Sequence, residues 1–207
     1  MWGTSSSDFY VVGNNGNIAH YNGSNWTKIE SPAGGGVNST DLQFLDIYGA
    51  TDPKSGELQI LAVGALETPP YNSIFSISGN TATKISSYFP ESPEEELFGV
   101  WFIPNRHYYV IGDGIYEKHF LTDKGWKNGP LKYTTHSTTR VRGQGLNDII
   151  IVGAFGEVLH FNGISWRSYI NETALNNGSY SGLSYKGNLV VTVGANNALG
   201  VITVGKR

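Results

Sequence analysis

A β-branched residue followed directly by glycine closes a short apolar run at five places along the chain. The five pairs are Val12-Gly13, Val63-Gly64, Ile111-Gly112, Val152-Gly153 and Val193-Gly194. Their glycines, called anchor glycines below, lie 51, 48, 41 and 41 residues apart. A repeat of about 40 to 50 residues is typical of the four-stranded blades of β-propellers. The chain of 207 residues is therefore predicted to form one all-β domain from five copies of a single unit.

Each copy contains short apolar segments separated by turn residues. In the fourth copy the pattern predicts strands at residues 140–143, 148–152, 157–161 and 165–169. The fifth copy stops soon after residues 201–204, which leaves room for three strands. We predict a five-bladed β-propeller of mostly four-stranded antiparallel blades, with an incomplete last blade. The single domain 1–207 divides into repeats at about 1–41, 42–92, 93–136, 137–178 and 179–207.

Composition excludes several classes of function. There is no cysteine, so disulfides, thiolate metal sites and a cysteine nucleophile are excluded. The net charge of −3 and the lack of a basic stripe argue against a nucleic-acid partner. No apolar run is long enough to span a membrane. Because a secreted eukaryotic domain of this size often carries disulfides, we expect a bacterial source.

The repeat unit resembles a known family of propeller repeats. The first copy contains Trp-Gly-x-Ser before its anchor glycine and ends in residues 22–26, Asn-Gly-Ser-Asn-Trp; the fourth ends in residues 162–166, Asn-Gly-Ile-Ser-Trp. These segments resemble the repeats of secreted bacterial β-propellers and are similar to the Asp-box (BNR) turn, with Asn in place of its Asp. The resemblance implies a propeller fold and an extracellular, periplasmic or cell-surface location, with any signal or anchor upstream of this sequence. Five-bladed propellers of similar architecture include a sugar-binding lectin and several glycosidases, an analogy at the level of fold.

Three histidines occupy one equivalent place. His20, His119 and His160 each follow an anchor glycine by seven residues, on the predicted third strand of a blade. That strand lies roughly 10 Å further from the propeller axis than the first strand, so equivalent side chains cannot converge on one metal ion. We expect these histidines to pack between blades or to bond a neighbouring strand. No metal site and no cofactor is predicted.

The first strand of each blade is where equivalent positions approach one another. Eleven residues before the anchor glycine, or shifted by an insertion in the second copy, lie Trp2, Tyr48, Trp101, Arg142 and Leu183. Aromatic rings and an arginine near a channel mouth suit a sugar ring or an acidic group. The candidate ligand-binding residues are Trp2, Tyr48, Trp101, Arg142 and Tyr185. The alternative, that these side chains only fill the channel and the sheet interfaces, stays open.

Three functional hypotheses compete. A non-catalytic binding or scaffold domain that holds a carbohydrate or a protein partner on one face is the leading hypothesis, because no catalytic residue set is evident. A small glycoside hydrolase or lyase is the alternative; its acids would be Asp46, Glu67 and Asp113, since glycoside hydrolysis needs converging carboxyl groups. A purely structural module of a longer surface protein is the third hypothesis.

Overall fold

A computed structural model describes residues 1–29, 41–66, 72–85, 96–128 and 133–206. Within these residues the protein is all-β, with nineteen strands in five antiparallel sheets and one 3-10 helix at Ile170–Glu172. None of the described helical segments is long and apolar enough to cross a membrane.

The strands follow the repeats. The first sheet contains β1 (Trp2–Ser5), β2 (Asp8–Val12), β3 (Ile18–Tyr21) and β4 (Trp26–Ile29). The second contains β5 (Leu42–Thr51), β6 (Leu58–Leu66), β7 (Asn72–Ser78) and β8 (Thr81–Ile85). The third contains β9 (Leu97–Ile103), β10 (His107–Gly112), β11 (Ile115–Lys118) and β12 (Lys127–Asn128). The fourth contains β13 (Thr138–Gly145), β14 (Asp148–Gly153), β15 (Val158–Phe161) and β16 (Trp166–Ser168). The fifth contains β17 (Gly178–Lys186), β18 (Leu189–Asn196) and β19 (Leu199–Lys206).

In every sheet the strands lie side by side in chain order. The four strands predicted for the fourth copy are all present, and the fifth sheet has the three strands expected of it. The first strands β1, β5, β9, β13 and β17 lie next to one another in that order, so they form one row along the inner side of the arrangement.

The second strand of each sheet shows how consecutive sheets pack. Residues at an even distance before the anchor glycine face the preceding sheet, and residues at an odd distance face the following sheet. In the second sheet, Ile60 and Ala62 pack with the first sheet, and Leu61 and Val63 pack with the third. The same rule holds in the third and fourth sheets: the residues that face the preceding sheet are Tyr108, Val110, Ile149 and Ile151, and those that face the following sheet are Tyr109, Ile111, Ile150 and Val152. Strand side chains alternate between the two faces, so each sheet has a preceding-side face and a following-side face, both apolar.

Four of the five anchor glycines are needed for close approach of two backbones. A Cβ at Gly153 would overlap the carbonyl oxygen of Ser137, and a Cβ at Gly194 would overlap that of Ser179. Both carbonyls lie at the start of the first strand of the same sheet. Gly64 and Gly112 make the same kind of close approach, whereas Gly13 faces open space.

Candidate functional site

Four of the five predicted binding residues lie in one row on the first strands. The ring of Trp2 meets that of Tyr48 with centroids 6.5 Å apart, and Tyr48 meets Trp101 at 6.4 Å. The guanidinium of Arg142 lies 5.6 Å from the centroid of the Tyr48 ring. The structure thus brings these four side chains, from four different sheets, into one continuous chain of contacts.

The two indole rings of this row fill junctions between sheets. Trp2 lies over Gly49 of the second sheet, where a Cβ would be 2.7 Å from indole Cζ2. Trp101 lies over Gly143 of the fourth sheet, where a Cβ would be 2.6 Å from indole Cζ2, and is only 2 % exposed. Trp101 therefore has no ring face available to a ligand, as the packing alternative expects. Ligand binding by the half-buried Trp2, Tyr48 and Arg142 stays a prediction.

A buried ion pair lies beside the row. Asp46 is 5 % exposed, and its two carboxylate oxygens each accept a bond of 2.9 Å from the guanidinium of Arg142. The same carboxylate accepts the backbone N–H of Val100 at 3.1 Å. Burial alone would lower the pKa of Arg142, but the hydrogen bonds and charge of Asp46 outweigh it and raise that pKa. One carboxylate thus ties together the second, third and fourth sheets.

The acids proposed for glycoside hydrolysis have different environments. Asp46 is engaged by Arg142, whereas Asp113 is exposed and accepts a 2.6 Å bond from the hydroxyl of Ser137. Glu67 lies outside the described residues. With both oxygens bonded to the same guanidinium, Asp46 serves as the acceptor of an ion pair between sheets.

Two of the three equivalent histidines bond a carboxylate on the neighbouring strand. His20 Nε2 lies 2.6 Å from Asp8 Oδ1, and His160 Nε2 lies 3.0 Å from Asp148 Oδ1. Hydrogen bonds from Thr4 and from His20 lower the pKa of Asp8. The bonding role expected of these two histidines is confirmed. No group of three or more metal-ligating side chains occurs among the described residues.

Tyr185, the fifth predicted binding residue, lies between the fourth and fifth sheets. Its hydroxyl donates a 2.6 Å hydrogen bond to Asp148, the carboxylate that also holds His160. It packs in the apolar cluster that joins those two sheets. The sequence predicts Tyr185 as part of the inner row because this residue lies close to the same strand, but in the structure Tyr185 belongs to a second site.

That second site is a cleft of about 300 Å³ between the fourth and fifth sheets. Its walls are apolar, its interior holds imidazole and phenol groups, and its rim carries one charge of each sign. The lining includes Ile150, Val158 and Val190, His160, Tyr169 and Tyr185, and at the rim Glu172 and Lys206. Such a mixture of apolar walls and a few polar groups is usual in ligand sites.

The cleft lies where the fifth sheet is narrower than the others. In four sheets the third strand is covered by a fourth; in the fifth, no described residue pairs with the outer edge of β19. Gly205 of β19 lines the cleft. Gly205 pairs with the residue four positions before the anchor glycine. The residues that occupy this place in the other four sheets are Tyr21, Ile77, Lys118 and Phe161.

In three of these four sheets a tryptophan on the fourth strand, or just before it, lies next to that residue, whereas in the second sheet Ala82 pairs with Ile77. Trp26 pairs with Tyr21 and Trp166 pairs with Phe161, while Trp126 lies under the ammonium of Lys118. Each tryptophan follows its anchor glycine by 13 or 14 residues. That spacing is a sequence signal for the fourth strand in three of the sheets, and no such local signal marks the cleft itself.

Comparison with known proteins supports the fold. No family model matches the sequence, and no curated protein matches it. Among solved structures, "YCF48 bound to D1 peptide" is similar with a TM-score of 0.64 and 14 % identity over 99 % of this chain and 62 % of that one. "YCF48 from Cyanidioschyzon merolae" has a TM-score of 0.63 and 10 % identity over 97 % of this chain and 66 % of that one. The chain therefore spans slightly less than two thirds of these β-propellers, and at this identity the likeness concerns the fold alone.

Proposed function

We propose that this protein is a non-catalytic scaffold of propeller-type sheets that binds an extended segment of a protein partner at the open edge of β19. The observation that carries the proposal is the uncovered third strand of the fifth sheet beside a preformed cleft. An exposed strand edge offers unpaired N–H and C=O groups, and an added strand can pair with them.

The register of the other sheets indicates what the partner should contain. A strand added to β19 in the register of β16 on β15 would place its tryptophan equivalent opposite Gly205. Side chains at that position point toward the preceding sheet, as Trp166 does against Tyr109 at a ring distance of 6.3 Å. In the fifth sheet this direction leads into the cleft, and glycine leaves it free. The partner is therefore an extended peptide with an aromatic residue that enters the cleft.

The comparison with solved structures adds support. One of the similar solved propellers is YCF48 bound to D1 peptide, which favours a protein segment as the ligand.

The test uses a peptide copied from the chain's own fourth strand. A labelled peptide of residues 162–169 (NGISWRSY) should bind saturably in fluorescence anisotropy. Replacing its tryptophan by serine should weaken binding roughly 10- to 100-fold, since burying a large apolar side chain contributes about 1.5–3 kcal/mol. Replacing the arginine after it by proline should also weaken binding, because proline cannot donate to the strand ladder.

A filled-edge variant is the matched control. The same eight residues, attached after Arg207 through a flexible linker, should occupy the edge of β19 and abolish binding of the free peptide. Equal binding of the tryptophan and serine peptides, or undiminished binding by the filled-edge variant, would contradict the proposal.

Carbohydrate binding at the inner row is the second candidate. The half-buried rings of Trp2 and Tyr48 and the guanidinium of Arg142 favour it, and the burial of Trp101 weighs against it. A glycan array with wild type and a Tyr48→Ala variant would test it. An extracellular or periplasmic location stays a prediction.

A further inference from the structure

The first and fifth sheets each expose the kind of face that is covered at every other junction. Phe9 and Val11 lie four and two residues before their anchor glycine, so they lie on the preceding-side face of the first sheet. Val191 and Val193 lie three and one residues before theirs, so they lie on the following-side face of the fifth sheet. Val11 is 36 % and Val193 is 42 % exposed. Each of the four inner junctions covers such positions with the neighbouring sheet.

The open face of the first sheet is aromatic. Phe9, Tyr21 and Trp26 form a cluster with ring centroids 5.2 to 5.4 Å apart. Trp26 is 56 % exposed, whereas its counterpart Trp126 in the third sheet is 3 % exposed and packs in the cluster shared with the second sheet. The difference arises because Trp126 has a preceding sheet against it and Trp26 has none among the described residues.

The open face of the fifth sheet is β-branched. Val191 pairs across the sheet with Val204, and Val193 pairs with Ile202. Ile202 is 71 % and Val204 is 57 % exposed, so four neighbouring apolar side chains form one patch. The opposite face of the same strands packs on the fourth sheet through Val190 and Val201.

We propose that a second copy of this chain covers these faces head to tail, with the fifth sheet of one copy packed on the first sheet of the next. At all four junctions within the chain, the following-side face of one sheet packs on the preceding-side face of the next. The open faces of the fifth and first sheets are one face of each kind, so together they make the same kind of pair. Their chemistry also matches, because the second–third junction packs Leu61, Val63 and Ile74 of one sheet against tyrosine and tryptophan of the next. Both faces are exposed, so they do not cover each other within one chain.

The interface is heterologous, since two different surfaces meet. Such an interface leaves one free face of each kind on every growing assembly and leads to rings or open chains of copies. This geometry allows a test by blocking one face at a time.

Val11→Lys blocks the first-sheet face and Val193→Lys blocks the fifth-sheet face, each by placing an ammonium in an apolar contact. Ile164→Lys, at a turn position that is 92 % exposed, adds the same charge away from both faces and is the control. Near-ultraviolet circular dichroism first establishes that each variant is folded.

In sedimentation velocity, the mass of the wild type and of Ile164→Lys should rise with concentration, whereas each blocked variant alone should remain monomeric. An equal mixture of the two blocked variants should form a dimer of one copy of each and nothing larger, since each supplies the face that the other lacks. A wild type that stays monomeric at all concentrations, which would point to a different occupant, overturns the proposal. So does a mixture that fails to dimerise, or a blocked variant that associates like the wild type.

Discussion

Replacing Arg142 by methionine removes one half of the buried ion pair and keeps most of the side-chain volume. Asp46 would lose two charge-assisted hydrogen bonds of 2.9 Å and retain only the N–H of Val100 at 3.1 Å. With the carboxylate 5 % exposed, water cannot replace the lost bonds. Removing one partner of a buried pair typically costs about 3–5 kcal/mol, and we expect Arg142→Met to lower the free energy of unfolding by about that amount at pH 7.

Urea denaturation of four proteins at pH 7 measures this loss. Besides Arg142→Met, the set contains Asp46→Asn, the double variant and the wild type. The double variant should be destabilised by less than the sum of the two single changes, because no buried charge is left unpaired. Arg167→Met is the control: its pair with Glu172 is 63 % and 55 % exposed, so its loss should hardly change the free energy of unfolding. Additive single changes would refute the assignment of a buried, energetically coupled pair, because two independent side chains would each lose their own contribution and no more.

Three further perturbations test other parts of the structure. Gly143→Ala should lower stability by about 1–3 kcal/mol because its methyl would overlap an indole ring of the third sheet, whereas Gly200→Ala, which faces open space, should change thermal unfolding little. Asn162→Ala should cost about 0.5–2 kcal/mol in urea denaturation, because the Asn side-chain oxygen accepts two backbone N–H groups at 2.9 Å; Asn162→Asp keeps that acceptor and should remain close to wild type. The hydrogen bond from His107 lowers the pKa of Glu117, so a carboxyl NMR titration should show that pKa rising toward its ordinary value in His107→Phe. The stability that Glu117 contributes is present above its ordinary pKa and lost as the pH falls through the lowered one, and an unchanged Glu117 titration in the variant would contradict this account.

Local pattern predicted much of the fold. The anchor glycines located all five second strands, and the strands predicted for the fourth copy match β13 to β16 within a few residues. The Asn-Gly turns are held locally, because Asn22 and Asn162 each accept two backbone N–H bonds with the side-chain oxygen. These features depend on short-range hydrogen bonds and on alternation along one strand, so they can be read from neighbouring residues.

The candidate sites were predicted less completely. The side chains of Trp2, Tyr48, Trp101 and Arg142 do meet, as their equivalent places in the repeat predict, but place in the repeat does not decide whether they present a surface or fill a junction. Trp101 lies buried against Gly143, a residue 42 positions away in another sheet. From the sequence, Asp46 is predicted only as a possible catalytic acid, and its pairing with Arg142 is not predicted.

By itself, the sequence determines the repeat and, through the two-residue period of a strand, which side chains share a face and whether that face looks to the preceding or the following sheet. The tertiary structure decides what those faces meet. The pairing of Asp46 with Arg142, the cleft beside Gly205 and the open faces that carry Trp26 and Val193 all depend on where separate sheets lie relative to one another. That placement comes from packing between segments far apart in the chain, and no local period encodes it.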